Sequence, residues 1–320
     1  MTQYINRNNP DKWKEDIKES VDFYNNWFLN FAPKTYKKTR LLTTEKVKET
    51  LTITNNLSKL TSKIILSNPE ILTTLRMSTC PPIARDRLIG LSYASPNLVK
   101  KLEQGELPKR MKEEKMMNEI GQICKIIHRL LDKDIFTWLS AKGKVNQQDV
   151  NRAATIIAYR LCGSMADPII RNEQERRQLR SIEKWLKKKK YKKLDSKNLK
   201  DFREMPKGTF IFHYNVPIDL NSKKKVNIAV DIIVNPFKSK KSSLPLLIEA
   251  KSAGDFTNVN KRRKEEAVKM SQLKKIYGNK IVFNLFLCGY FDSGYLGYEA
   301  AEGIDWVWEH RIDDLAKMGI

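Results

Sequence analysis

The chain is poor in the features that mark a disulfide-stapled, zinc-bound or membrane-spanning protein. Its four cysteines, Cys80, Cys124, Cys162 and Cys288, stand far apart and form no CxxC pair. That pattern excludes a disulfide framework and a Cys-based zinc knuckle, and it predicts reduced, packing thiols. No stretch approaches the roughly 18 consecutive apolar residues of a membrane helix. The opening residues MTQYINRNNPDKW carry no apolar signal region, so a cytoplasmic protein is expected. There is no internal repeat and no low-complexity tail. Acidic residues are also scarce, 37 against 60 Lys and Arg, which leaves a net charge of +23. Such an excess suits a polyanionic partner. A general bias toward Lys, Asn and Ile inflates it, but the longest basic runs, Lys187 to Lys190 and Lys261 to Lys264, lie in the C-terminal half. With 320 residues, 41% of them hydrophobic, the chain has room for two domains or one large one.

The most informative stretch runs from Asn227 to Ser252. It reads NIAVDIIVNP, a basic Ser-rich turn, then LPLLIEAKS. Apolar runs rich in Val and Ile, bounded by Pro, Ser and Lys, predict two consecutive strands. Side chains alternate along a strand, so Glu249 and Lys251 share a face and Ala250 opposes them. Folding the second strand back on the first brings Asp231 beside that pair. Two carboxylates and a lysine at a sheet edge suit Mg²⁺ held by hard oxygens, with a lysine left to orient water or offset phosphate charge. The competing reading is a surface salt bridge at two strand ends.

Upstream, the pattern is helical and carries no strand signal. Helices are expected over 11–30, from a Thr43 or Thr44 cap through 60, over 69–77, 96–105, 109–139 and 147–161, and over 172–190. Trp13, Phe23, Tyr24 and Trp27 anchor the first. Arg85, Asp86 and Arg87 follow a double proline and read either as a base-reading element or as an ion-pair network. Downstream, GTFIFHYNVPI (208–218) alternates as a first strand that contains His213, to which no role is assigned. A helix over 259–277, strands over 281–289 and 304–308, and a closing helix over 311–318 complete the order. Gly294, Gly297 and Gly303, with Tyr290, Tyr295 and Tyr298, read as a loop; Trp306 and Trp308 read as packing residues.

Between the second motif strand and the next helix lies SAGDFTNVNKRRKEE. Asn258 is a candidate helix cap, and Lys261, Arg262, Arg263 and Lys264 fill the first turns. Just past Lys251, these five residues are candidate DNA contacts, giving affinity and register more than sequence choice. The alternative is a solvated basic face balanced by Glu265 and Glu266.

The D…ExK pattern on two strands resembles the PD-(D/E)xK nuclease superfamily, although Val230 stands where that pattern has proline. Further, KSAGDFTNVNKRRKEE (Lys251 to Glu266), CGYFDSGYLGYEAAEGIDWVWEHR (Cys288 to Arg311) and CPPIARDRLIGL (Cys80 to Leu91) resemble the XamI-type family of type II restriction endonucleases. The resemblance implies an α+β fold, a mixed sheet flanked by helices and preceded by a helical N-terminal region. It implies Mg²⁺-dependent, site-specific cutting of duplex DNA to 5′-phosphate and 3′-hydroxyl ends. Asp231, Glu249 and the Ala250 carbonyl become the expected metal ligands, and Asp231, Glu249 and Lys251 the catalytic set. Glu183, beside the apolar stripe of the helix over 172–190, is a candidate extra carboxylate or a plain surface glutamate. The expected organisation is a DNA-gripping helical region over 1–165, with possible dimerisation, and a nuclease domain over 166–320. The expected partners are duplex DNA, a second copy of the chain and a cognate methyltransferase. A repair or junction-resolving nuclease of the same fold, and a DNA-binding protein without catalysis, are the alternatives.

Overall fold

A computed structural model describes residues 5–140, 145–196, 199–218, 226–240, 243–257 and 259–320, and for 260–262 the backbone only. The chain forms two units, one of Met1–Phe31 with Arg171–Ile320 and the other of Ala32–Ile170.

The second unit is helical. It takes in the later part of α1 (Pro10–Ile53), then α2 (Ser62–Ser67), α3 (Leu72–Met77), α4 (Arg85–Ser92), α5 (Pro96–Glu103) and α6 (Glu113–Leu130), and the first part of α7 (Gln147–Lys188). In α6, Met116, Ile120, Ile123 and Ile127 are buried at spacings of four and three, one face of a helix turned to a common core. Arg85 and Arg76 both pair with the buried carboxylate of Glu103, so Arg85 belongs to an ion-pair network.

Two pairs of helices expected from the sequence are continuous. The break foreseen before Thr43 does not exist, because α1 runs through Pro33. Ala32, Thr39, Thr43, Val47 and Thr50 continue one buried stripe in helical phase past the proline. Thr43 and Thr44 return their hydroxyls to the carbonyls of Thr39 and Arg40, at 2.7 and 2.8 Å, rather than capping. The segments foreseen over 147–161 and 172–190 likewise form the single α7, with Pro168 inside it.

The first unit is built on a mixed six-stranded sheet in the order β1 (Lys192–Lys193), β2 (Thr209–Pro217), β3 (Asn227–Asn235), β4 (Leu246–Ala253), β5 (Phe283–Gly289) and β6 (Asp305–Trp308). β2, β3 and β4 are antiparallel neighbours, whereas β4, β5 and β6 run parallel. The parallel pairs need crossovers, supplied by α8 (Val259–Tyr277) and α9 (Ser293–Ala301). Met270 and Leu273 of α8, and Tyr295 and Leu296 of α9, cover one face of the sheet. Ile182, Trp185 and Leu186 of α7, with Leu315 and Met318 from the closing 3₁₀ segment, cover the other. The segment around Gly294 and Gly297 is therefore the helix α9 and not a loop. Its cap is Asp292, whose Oδ1 accepts from the Tyr295 N–H at 2.7 Å.

Residues Ile5 to Arg7 are tied to this unit by one side chain. The buried Asp305 carboxylate accepts the N–H groups of Ile5, Asn6 and Arg7 at 2.6, 3.1 and 2.9 Å. Trp306 and Trp308 are fully buried, as their alternation predicts. All four cysteines are free. Among the described residues, no helix is long and apolar enough to cross a membrane.

Candidate active site

The sheet changes face at one point. Phe210 and Phe212 pack with Ile232 and Val234 on one side, while Tyr214 and Val216 pack with Ile228 and Val230 on the other. Strict alternation would hold all four β2 residues on one face. His213 reverses the parity: its φ of +52° is left-handed, an uncommon conformation for a residue with a Cβ. The flanking pairs Phe212–Ile232 and Tyr214–Val230 set His213 opposite Asp231, so both strands turn together.

Asp231 also stands where β3 and β4 part. Their ladder covers Ile232–Ile248, Ile233–Leu247 and Val234–Leu246 and then stops. One step further, the Asp231 carboxylate takes the place of a backbone acceptor: its Oδ2 receives the Ala250 N–H at 2.8 Å. Glu249 and Lys251 leave β4 on the face shared with Leu247 and Ala253, under α8. The Lys251 ammonium lies 3.2 Å from Glu249 Oε1. The structure thus brings Asp231, Glu249 and Lys251 together where β3 and β4 part, with the Ala250 backbone between the carboxylates.

Several residues to which the sequence assigned no place in the site complete the arrangement. Glu266 of α8, fully buried, meets the Lys251 ammonium at 2.9 Å. Lys269, one helical turn on, meets Glu249 Oε1 at 2.6 Å. Gln178 of α7 donates to the carbonyls of Lys251 and Phe286 at 3.2 and 3.1 Å, tying β4 to β5 behind the site. The motif strand thus presents two charges at spacing two, and α8 answers with opposite charges at spacing three, the neighbour distances of a strand and a helix.

Glu183 and Glu175 share α7 but have different surroundings. Glu183 pairs with Lys187 at 2.8 Å and Lys193 at 3.3 Å. Glu175 instead offers a carboxylate oxygen, with His213 and Asp231, in a group whose ligand atoms all lie within 4.8 Å of one another. Among the candidate DNA contacts, Asn258 and the side chains of Lys261 and Arg262 lie outside the described residues. Arg263 rests its guanidinium over the Tyr298 ring at 5.0 Å, and Lys264 is exposed.

The electrostatics are those of crowded acids. Burial raises Asp231 from its ordinary 3.8 to about 6, and neighbouring Glu249 pushes the same way, against the Ala250 N–H and Lys251. Burial pulls Lys251 down, yet Glu249 and Glu266 outweigh it and the lysine is net raised, so it stays protonated. Burial, with Glu266 beside it, lifts Glu299 to about 8. The donor set fits a divalent cation: carboxylate oxygens of Asp231, Glu249 and Glu175 dominate it, with the His213 ring nitrogen beside Asp231, and Glu249 Oε2 is buried with no hydrogen-bond partner among the described residues.

Residues 55–308 match the family model described as XamI restriction endonuclease. The chain belongs to that family. It is 50% identical to "Type II restriction enzyme SalI" of Streptomyces albus G over 315 residues, covering 98% of this chain and 99% of that protein. No solved structure matches it. The family match spans the whole sheet, all three motif residues and both Glu266 and Lys269.

Proposed function

We propose that this protein is a type II restriction endonuclease that hydrolyses both strands of a specific duplex DNA sequence, with Asp231, Glu249 and Lys251 as its catalytic set. Family membership supports the activity, and the element order of α7, β2, β3, β4, α8 and β5 agrees with the αβββαβ core of the PD-(D/E)xK superfamily. The observation that carries the site assignment is the Asp231 carboxylate on the Ala250 N–H at 2.8 Å, where the two motif strands part.

Asp231, Glu249 and the Ala250 carbonyl would hold Mg²⁺, with Glu175 a further oxygen on the Asp231 side. The bound ion supplies Lewis acidity toward the scissile phosphate and a water of lowered pKa. Lys251, charged and held by Glu249 and Glu266, orients the attacking water and offsets charge on the phosphate. Gln178 fixes the backbone from which that lysine springs. In-line attack leaves a 5′-phosphate and a 3′-hydroxyl. Exposed Lys264 and its neighbours at the start of α8 meet phosphates of the same duplex. One chain carries one such set, so a double-strand break in a single encounter calls for two copies, and two-fold symmetry favours a palindromic site. A cognate methyltransferase protects host DNA in the same cytoplasm.

Digestion of unmethylated phage DNA, with the ends sequenced, tests the reading. Wild type should give one short sequence at every cut. Alanine at Asp231, Glu249 or Lys251 should abolish Mg²⁺-dependent cutting in a folded protein, and Lys251→Ala should still bind DNA in Ca²⁺. Cutting by Glu249→Ala near the wild-type rate would refute the site.

A further inference from the structure

Glu249 Oε1 is shared by two ammonium groups that are held differently. Lys251 is boxed in: its Nζ lies 3.2 Å from Glu249 and 2.9 Å from the buried Glu266. Lys269 lies closer to Glu249, at 2.6 Å, yet its only other polar neighbour among the described contacts is the Ala229 carbonyl at 3.4 Å. It also reaches the site on a long, partly exposed stem from α8, whose 23% side-chain exposure exceeds the 17% of Lys251. The other Glu249 oxygen, Oε2, is buried and has no hydrogen-bond partner among the described residues. A buried carboxylate needs a counter-charge. Here it has one fixed cation and one that can leave.

We propose that Lys269 is the resident counter-cation of the site: its ammonium neutralises Glu249 until a divalent cation displaces it. This rests on the reading of Asp231 and Glu249 as metal ligands. Glu249 already carries two ammonium groups on Oε1, and a divalent ion on the same carboxylate would add strong repulsion at contact distance, which the less firmly held of the two relieves by leaving. Entry of the ion therefore requires the Lys269 ammonium to withdraw, and the long side chain makes that withdrawal feasible without moving α8. Lys269 thereby sets the metal affinity of the site, while Lys251 stays anchored by Glu266.

Calorimetric titration of Ca²⁺ into the full chain without DNA tests this. Lys269→Met keeps the stem and removes the charge; Lys269→Gln is a second neutral variant in case the first misfolds. Either should bind Ca²⁺ at least about tenfold more tightly than wild type, and Lys269→Arg, which keeps the cation, should stay within about threefold of it. Measurable binding in the neutral variant alone would give the same support. Unchanged or weaker affinity in a folded neutral variant, or binding in neither protein, overturns the proposal. Glu249→Gln separates the two levels. If it abolishes Ca²⁺ binding while the neutral Lys269 variants leave the affinity unchanged, only the counter-cation proposal fails. If it binds as wild type does, the metal-site reading fails and this proposal with it.

Discussion

Asp231 offers a test that needs no cleavage assay. Its carboxyl is raised from 3.8 to about 6, by burial first and Glu249 second. A folded state that binds a proton more tightly than the unfolded chain loses stability as pH rises through that interval. The cost of keeping Asp231 ionised is therefore absent below about pH 4 and fully present above about pH 6. At about 1.4 kcal/mol for each tenfold in proton affinity, the move from 3.8 to about 6 bounds that cost at about 3 kcal/mol. Relaxation and water reaching a partly exposed group reduce it to roughly 1–2 kcal/mol. Asp231→Asn removes the charge and keeps an oxygen for the Ala250 N–H. In EDTA at pH 8 the variant should thus be more stable than wild type by roughly 1–2 kcal/mol, with the gap closing toward pH 4. Urea melts across that range measure it. Added Ca²⁺ should stabilise wild type through binding to the folded state and leave Asp231→Asn unmoved. A variant less stable at pH 8, or a gap independent of pH, would show that crowding at Asp231 is not what the geometry says it is.

Glu299, fully buried and raised to about 8, carries a proton at neutral pH, so Glu299→Gln should match wild type near pH 4 and become progressively more stable than it as pH rises toward 8. Neutralising Arg262 and Lys264 together should weaken binding to all DNA sequences alike and lower the slope of log affinity against log salt by about two. A normal slope with a new cleavage sequence would make them base readers. Sedimentation with a cognate duplex should find two chains per duplex, and a one-to-one complex that still breaks both strands would rule out the dimer.

What the sequence determined by itself was the ordered set of strands and helices around the motif. β3 and β4 announced themselves as apolar runs ending in polar turns, and α8 has the bounds read from its periodicity, Val259–Tyr277. These signals are local: side chains repeat every two or every 3.6 residues because the backbone does. The missed elements are those where a local rule met a stronger tertiary demand. Pro33 and Pro168 sit inside helices, although proline there forfeits a backbone bond, because buried stripes continue on both sides. α9 carries two glycines, yet Tyr295 and Leu296 have a sheet to pack on and Asp292 a helix to cap. Asp292 is the signal in the sequence that would have revealed it.

The site divides in the same way. That Asp231, Glu249 and Lys251 belong together was legible from their strands. Which groups surround them was not, because it depends on the phase of one element against another. Only tertiary packing put Glu175 rather than Glu183 beside Asp231, since both lie on α7 and the helix periodicity cannot say which turn meets the sheet. Only the left-handed His213 moved the faces of β2 and β3 together. Glu266 and Lys269 looked like members of a charged helix surface; the tertiary structure set that surface against β4, where distances of 2.9 and 2.6 Å in a buried setting make them part of the site. Charge spacing along a chain is a one-dimensional fact, whereas an ion pair requires two elements to arrive at the same place.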